Sequence, residues 1–170
     1  MIVDLISLEK SVLDFDYSFL PESIDLEGEE AKLKNTVKVQ GKLTKGIVQI
    51  TVSGEIFAEI EIECTRCLQP IEQKLHVPFR TEFITAENYT AAKEAELQAN
   101  DLDAAVFEGD KIDLTELVRE QILLNLPEQI FCKEDCRGLC DQCSANRNLI
   151  DCNCNNKEID PRWAALKNLK

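Results

Sequence analysis

From Thr36 onward the apolar positions of the chain fall into a two-residue rhythm. Val37 and Val39 alternate with Lys38 and Gln40, and Val48, Ile50 and Val52 alternate with Gln49, Thr51 and Ser53. Between them Thr44-Lys45-Gly46 has the composition of a hairpin turn. Gly54 reads as a further turn or a bulge. Ile56, Ala58, Ile60 and Ile62 then alternate with Phe57, Glu59, Glu61 and Glu63 and lead into Cys64. After Cys67, Leu75, Val77, Phe79 and Phe83 alternate with Lys74, His76, Arg80 and Glu82. Antiparallel pairing of these last two runs would set a row of Glu against Lys74, His76 and Arg80 on the outer face, while both apolar faces enter the core. The segment Cys64 to Cys67 is then the turn of a meander. The charges are expected to be a solvated sheet face.

The period changes at Asp113. This residue stands where a helix N-cap belongs, and Glu116 follows at capping-box spacing. Leu114, Leu117, Val118, Ile122 and Leu124 share one side of the predicted helix, and Pro127 ends it. A second, shorter helix is predicted from Asp160 to Lys170. Asp160 caps it, Pro161 sits at the first helical position, and Trp163, Leu166 and Leu169 recur at helical spacing. Residues 84–111 are acidic and poor in apolar side chains, which predicts a loop holding a short helix. The first thirty residues predict only loops around short elements.

Composition bounds what such a chain does. Of its 170 residues 44% are hydrophobic and 30% charged, a globular balance. The net charge of −13 disfavours broad nucleic-acid binding, which rests on Lys and Arg displacing counterions from phosphates. A negative field instead attracts basic proteins, ribosomal proteins among them. Arg162, Lys167 and Lys170 make the tail the one clearly basic segment. With Arg137 and Arg147 they are the candidate contacts for RNA or another partner. Asp4 interrupts the N-terminal apolar run and no basic stretch precedes it, so a secretory signal is not expected. No run approaches the roughly 18 apolar residues of a membrane span. The expected location is therefore the cytoplasm, where clustered cysteines favour metal over disulfides.

The eight cysteines carry the candidate chemistry: Cys64, Cys67, Cys132, Cys136, Cys140, Cys143, Cys152 and Cys154. Two cysteines separated by two residues can aim both sulfurs at one ion across a tight turn, and Cys64/Cys67 and Cys140/Cys143 both have that spacing. Structural zinc, one ion or two, is the expectation. The favoured partition joins Cys64/Cys67 to Cys140/Cys143 and leaves Cys132, Cys136, Cys152 and Cys154 for a second site; other partitions and a single zinc stay open. An iron–sulfur cluster also needs four thiolates and is not distinguished by spacing. A thioredoxin-like pair belongs at a helix start after a strand, whereas Cys64 and Cys67 lie between strands. No Ser–His–Asp triad, phosphate-binding glycine loop or His-Glu deaminase motif occurs. The only histidine, His76, reads as an exposed strand residue.

The predicted fold is α+β: an antiparallel β-meander or barrel-like sheet, a packed helix over about 113–126, a cysteine-rich zinc-binding C-terminal segment and a short C-terminal helix. It forms a single domain over 1–170, with a core over 1–128, the cysteine segment over 129–158 and the tail helix over 159–170. The order of features resembles a known family. A β-rich region ends in Cys64-Thr-Arg-Cys67-Leu, an acidic loop and a helix ending in Leu126-Pro127 follow, then Cys132-Lys-Glu-Asp-Cys136-Arg-Gly-Leu-Cys140 with Cys143, an Asn-rich turn, and Asp160-Pro-Arg-Trp. This is similar to the YceD family of large-subunit ribosomal RNA accumulation proteins, in its cysteine-rich bacterial and plastid form, over roughly Val37 to Leu169. The chain departs from the family pattern at Asp141, Ser144 and Arg147, where Pro, Gly and Leu are expected. Ser144 bears on the geometry of the knuckle.

The resemblance implies a non-enzymatic role in accumulation or processing of the large ribosomal RNA, with a large-subunit RNA precursor as partner and no small-molecule substrate or membrane. It also admits a plastid stroma-like compartment. Two other functions are weighed against it: an acidic module that binds a basic ribosomal protein, and a redox or metal-dependent enzyme.

Overall fold

The computed structural model describes residues 1–6, 11–26, 31–47, 49–85, 104–107 and 109–154. The predicted tail helix, and the helix expected within residues 84–111, fall outside the described residues. The chain divides into two compact units: Met1–Ile62 with Ile71–Glu128, and Glu63–Pro70 with Gln129–Lys170.

The first unit contains a six-stranded sheet. Strands β2 (Val12–Phe19), β4 (Val37–Lys45), β5 (Gln49–Glu63), β6 (Pro70–Thr85) and β7 (Ala104–Phe107) follow one another in that spatial order, and β3 (Ala31–Leu33) pairs with β5. The two-residue rhythm is reproduced in burial. Val37, Val39, Leu43, Val52, Ile56, Ile60 and Val77 are buried, while Lys38, Gln40, Phe57 and His76 face outward. β4–β5–β6 is the expected meander, and its hairpin turn lies between Lys45 and Gln49, about two residues later than predicted, where the Gly46 N–H donates to the Gln49 carbonyl at 2.9 Å.

Other parts differ from expectation. The N-terminal segment supplies an eight-residue strand, β2, paired antiparallel to β4 from Val12↔Thr44 to Phe19↔Val37. Its apolar and acidic residues alternate as Leu13, Asp14, Phe15 and Asp16, a strand signal obscured by the acidic runs around it. The described part of the segment read as a loop adds β7, and β7 pairs with β6 in parallel, Phe83↔Ala105. Among the described residues the strand order runs from β2 to β7 without closing, so the sheet there is open rather than barrel-like. Gly54 is neither turn nor bulge. It lies within β5 opposite Gly41, and a Cβ on it would stand 2.2 Å from the Gln40 carbonyl oxygen. Two glycines face each other because the backbones leave no room for side chains.

A separate two-stranded sheet joins β1 (Ile2–Asp4) to β8 (Lys111–Asp113), and β8 leads into helix α1 (Leu114–Leu124). Asp113 is the N-cap, its carboxylate accepting from the Thr115 N–H at 2.9 Å. Glu116, expected to complete a capping box, instead pairs with Arg119 at 2.9 Å. Leu114, Leu117, Val118 and Ile122 are buried as predicted, but Leu124 is 77% exposed. The helix ends there, and the Asn125 N–H returns to the carbonyls of Ile122 and Leu123. No helix among the described residues is long and apolar enough to cross a membrane.

Candidate metal centres

The second unit is built around two turns of the same design. In the first, the Cys64 N–H donates to the Gln69 carbonyl at 2.8 Å and the Leu68 N–H to the Cys64 carbonyl at 2.9 Å. In the second, the Cys140 N–H donates to the Ala145 carbonyl at 2.9 Å and the Ser144 N–H to the Cys140 carbonyl at 2.8 Å. Each turn passes through a left-handed residue just after its second cysteine, Leu68 at φ 56° and Ser144 at φ 55°. The departure from glycine at Ser144 therefore leaves the turn in the left-handed conformation that glycine would adopt freely.

Further bonds tie this unit together. The Thr65 N–H reaches the Ile130 carbonyl at 2.9 Å, and the Leu139 N–H reaches the Arg66 carbonyl at 3.1 Å. The Arg66 guanidinium donates to the Cys136 carbonyl at 3.1 Å and lies 4.1 Å over the Phe131 ring. Gly138, at φ +69°, lets the chain pass close to Arg66, whose carbonyl oxygen would lie 3.1 Å from a Cβ at this position.

These turns sort the eight cysteines into two groups of four, Cys64/Cys67/Cys132/Cys136 and Cys140/Cys143/Cys152/Cys154, with the sulfurs of each group within 4.8 Å of one another. The favoured partition of the sequence reading is thereby corrected. The two pairs with two-residue spacing do not share a site; each is completed by cysteines that follow it in the Cys-rich segment. Spacing identifies a pair but not its partner, because the partner is chosen by the path of the chain between them.

The distances discriminate among bonding types. Cys64 Sγ lies 3.8 Å from Cys136 Sγ, and Cys67 Sγ 3.6 Å from Cys132 Sγ. A disulfide holds its sulfurs at about 2.05 Å. A tetrahedron with metal–sulfur bonds of about 2.3 Å has edges of about 3.8 Å. The first group therefore has the dimensions of a single-ion tetrathiolate site.

The surroundings favour thiolate at particular sulfurs. Burial opposes ionisation of Cys64, yet the N–H groups of Cys132, Arg66 and Cys67 outweigh it and bring the thiol down to about 6. The Cys132 N–H stands 3.4 Å from that sulfur. In the second group, the N–H groups of Cys143 and Gln142 lower Cys140 to about 6. Their neighbours move the other way. Burial and then the sulfurs of Cys67, Cys136 and Cys64 push Cys132 up to about 12, and Cys143 with burial does the same for Cys154. Four thiolates crowded together cannot all ionise without a cation among them.

Asn148 is a candidate site residue that spacing did not single out. Its amide donates to Cys136 Sγ at 3.3 Å, while its carbonyl oxygen accepts from the Arg137 N–H at 2.9 Å. The Asn-rich turn was the only sign of it. The predicted contact arginines stand near this chemistry. Arg137 pairs with Asp151 at 2.8 Å, and Arg147 has its pKa raised by the negative charge of Cys140 and by a bond to Cys152. Arg162, Lys167 and Lys170 lie outside the described residues.

Residues 52–170 match the family model described as "Large ribosomal RNA subunit accumulation protein YceD", a span that includes all eight cysteines. The Bacillus subtilis (strain 168) protein YlbN is 28% identical over 99% of this chain and 94% of its own length. Rv2926c of Mycobacterium tuberculosis (strain H37Rv) is 30% identical over 69% of this chain and 54% of its own. A chloroplastic protein of Arabidopsis thaliana, named large ribosomal RNA subunit accumulation protein YCED homolog 1, is 32% identical over 37% of this chain and 20% of its own. No solved structure matches.

Proposed function

The chain belongs to the YceD family, and from that premise we propose that it is a non-enzymatic ribosome-biogenesis factor that promotes accumulation of the large-subunit ribosomal RNA, with two structural zinc ions holding its cysteine unit. The observation that carries the zinc assignment is the pair of four-sulfur groups inside the span matched by the family. Four thiolates fill all the positions of a tetrahedral ion and leave none for water or substrate, which is the arrangement of a structural site. An iron–sulfur cluster would interpose several metal atoms and spread its four thiolates beyond the 4.8 Å within which each group lies. The family description names accumulation of an RNA and no reaction. The proposed setting is the cytoplasm, or the stroma for plastid relatives.

The test has two parts. Metal analysis of purified protein should give two zinc ions per chain, falling to one in Cys136→Ser. A strain lacking the protein should show a lowered ratio of large- to small-subunit ribosomal RNA, restored by the unsubstituted chain and not by a chain with both centres removed. An unchanged ratio would overturn the ribosomal reading.

The net charge of −13 supports a second reading, in which the immediate partner is a basic ribosomal protein. Nuclease-treated pull-downs that still recover such a protein favour it, and recovery of RNA alone counts against it.

A further inference from the structure

The outer face of the sheet unit carries an open groove that the cysteine chemistry does not use. Its floor comes from adjacent strands β4, β5 and β6. Lys38 stands opposite Phe57 in the β4–β5 register, and both point away from the core. Phe57 is 39% exposed, whereas its chain neighbours Ile56 and Ala58 are buried. The His76 imidazole lies parallel to the Phe57 ring, with centroids 4.6 Å apart and planes 5° apart. Asn35, Glu59 and Lys74 border the groove, whose volume is about 610 Å³.

The charges here differ from those of the chain as a whole. Glu59 is engaged by Lys74 at 3.6 Å and by the Asn35 amide. Glu55 is engaged by the Gln40 amide at 3.2 Å and faces His76 at 3.5 Å. Lys38 has no carboxylate partner among the described residues, and its neighbour on β2 is Ser18. In a chain of net charge −13, Lys38 and Lys74 offset Glu55 and Glu59 at this groove, so its formal charge is balanced rather than negative, and among the described residues Lys38 stands beside the aromatic pair without a carboxylate contact.

A planar π surface next to a cation suits a nucleobase whose phosphate lies alongside. Exposed aromatics on a sheet are the usual stacking platform for unpaired bases, and duplexes do not offer their base faces to such a platform. A basic peptide would meet Lys38 with like charge. We propose that this groove binds single-stranded RNA, with one base stacked on the Phe57–His76 pair and a flanking phosphate met by Lys38. The inference rests on the ribosomal reading above and names its RNA-contacting surface.

The test is fluorescence anisotropy of the full, metal-loaded chain with a labelled single-stranded RNA of about 12 nucleotides at about 50 mM salt, a range in which phosphate contacts are not screened out. Phe57→Ala should weaken binding about tenfold or more, as loss of one stacked base does. Phe57→Trp, which keeps a stacking face, should bind like the unsubstituted chain and guards against misfolding as the cause. Lys38→Ala should reduce the slope of log affinity against log salt by about 0.7. Equal affinity of Phe57→Ala and the unsubstituted chain would overturn the proposal. So would equal binding of duplex RNA, or a Phe57→Ala defect seen only with a lysine-rich peptide. If the unsubstituted chain binds no RNA while its deletion still lowers large-subunit RNA, the groove assignment falls and the ribosomal function stands. If deletion leaves that RNA unchanged, the function itself falls.

Discussion

In the sheet unit most of the buried side chains are branched aliphatics, Val37, Val39, Leu43, Val52, Ile56, Ile60 and Ile122 among them. In the cysteine unit the buried side chains, among the described residues, belong to Cys64, Cys67, Cys136 and Cys140, while Leu68, Phe131, Leu149 and Ile150 stand exposed. The first interior is stabilised by removing apolar surface from water, at about 25 cal/mol per Å², whatever else is bound. Among its described residues the second has no comparable apolar core. Its interior is a set of sulfurs whose shared ionisation is unfavourable without a cation. On the proposed zinc reading, the comparison teaches that one unit folds on its own composition, while the other has a fold conditional on metal.

Metal removal is the strongest way to break that contrast. Structural zinc contributes on the order of 10 kcal/mol or more to folding of small sites. A strong chelator under reducing conditions should therefore abolish hydrogen-exchange protection in 63–70 and 129–154 and spare 37–45 and 50–62. Retained protection around Cys64 and Cys140 would refute a metal-dependent fold. The more exposed centre should empty first: Cys143 is exposed, whereas Cys64, Cys67 and Cys136 are buried. Acid should act in the same direction. The folded thiols of Cys64 and Cys140 lie at about 6, below the unfolded value near 8.5. The stability they contribute is complete above that unfolded value and is lost as pH falls through about 6, so metal retention should drop on acidification.

The converse substitution sharpens the comparison from the other side. Ile60 is fully buried in β5, and Ile60→Ala should cost about 2–5 kcal/mol in denaturant unfolding of the sheet unit. Its zinc content should remain at two per chain. Loss of metal in this variant would mean that the two units do not fold by separate physics.

A smaller effect is expected where the sheet is tightest. Gly54→Ala places a methyl group 2.2 Å from the Gln40 carbonyl oxygen and 2.8 Å from Gly41 Cα, contacts that only backbone movement can relieve. Overpacking of this kind costs about 1–3 kcal/mol, measurable as a lowered unfolding midpoint. An unchanged midpoint would show that β4 and β5 can separate there without loss.

How much of this was legible in the sequence depended on whether the signal was local. The alternation through β4, β5 and β6 was readable because each strand reports its own burial at every second residue. The expected cross-strand charges were partly readable: Lys74 meets Glu59 at 3.6 Å, but Arg80 turns to Glu82 on its own strand at 2.8 Å. Asp113 was identified as a cap because capping is a contact over two residues. The parallel pairing of β7 and the open sheet edge were not readable, since neither leaves a local pattern. The cysteines divide in the same way. Their role as ligands followed from spacing, while their partition followed from Thr65 bonding to Ile130 and Leu139 bonding to Arg66, contacts that span 65 or more residues. Asn148 was missed because one amide in an Asn-rich turn looks like any other until its sulfur acceptor is known.

The finest test concerns the two matched turns themselves. Leu68 and Ser144 hold nearly the same positive φ, 56° and 55°, and both close the same pair of hydrogen bonds. A residue with a Cβ pays about 1–2 kcal/mol for this conformation. Glycine avoids that strain but loses roughly 0.5–1 kcal/mol in chain entropy. Ser144→Gly should therefore stabilise the second centre by no more than about 1.5 kcal/mol, read as a small shift to higher chelator concentration for metal release. Ser144→Val should shift it the opposite way, because a β-branched side chain tolerates positive φ least. The corresponding substitutions at Leu68 should repeat the pattern at the first centre if the two turns are equivalent. Were Ser144→Val to release metal no sooner than Ser144→Gly, the left-handed turn would not be what positions Cys140 and Cys143, and the likeness between the two centres would be one of spacing alone.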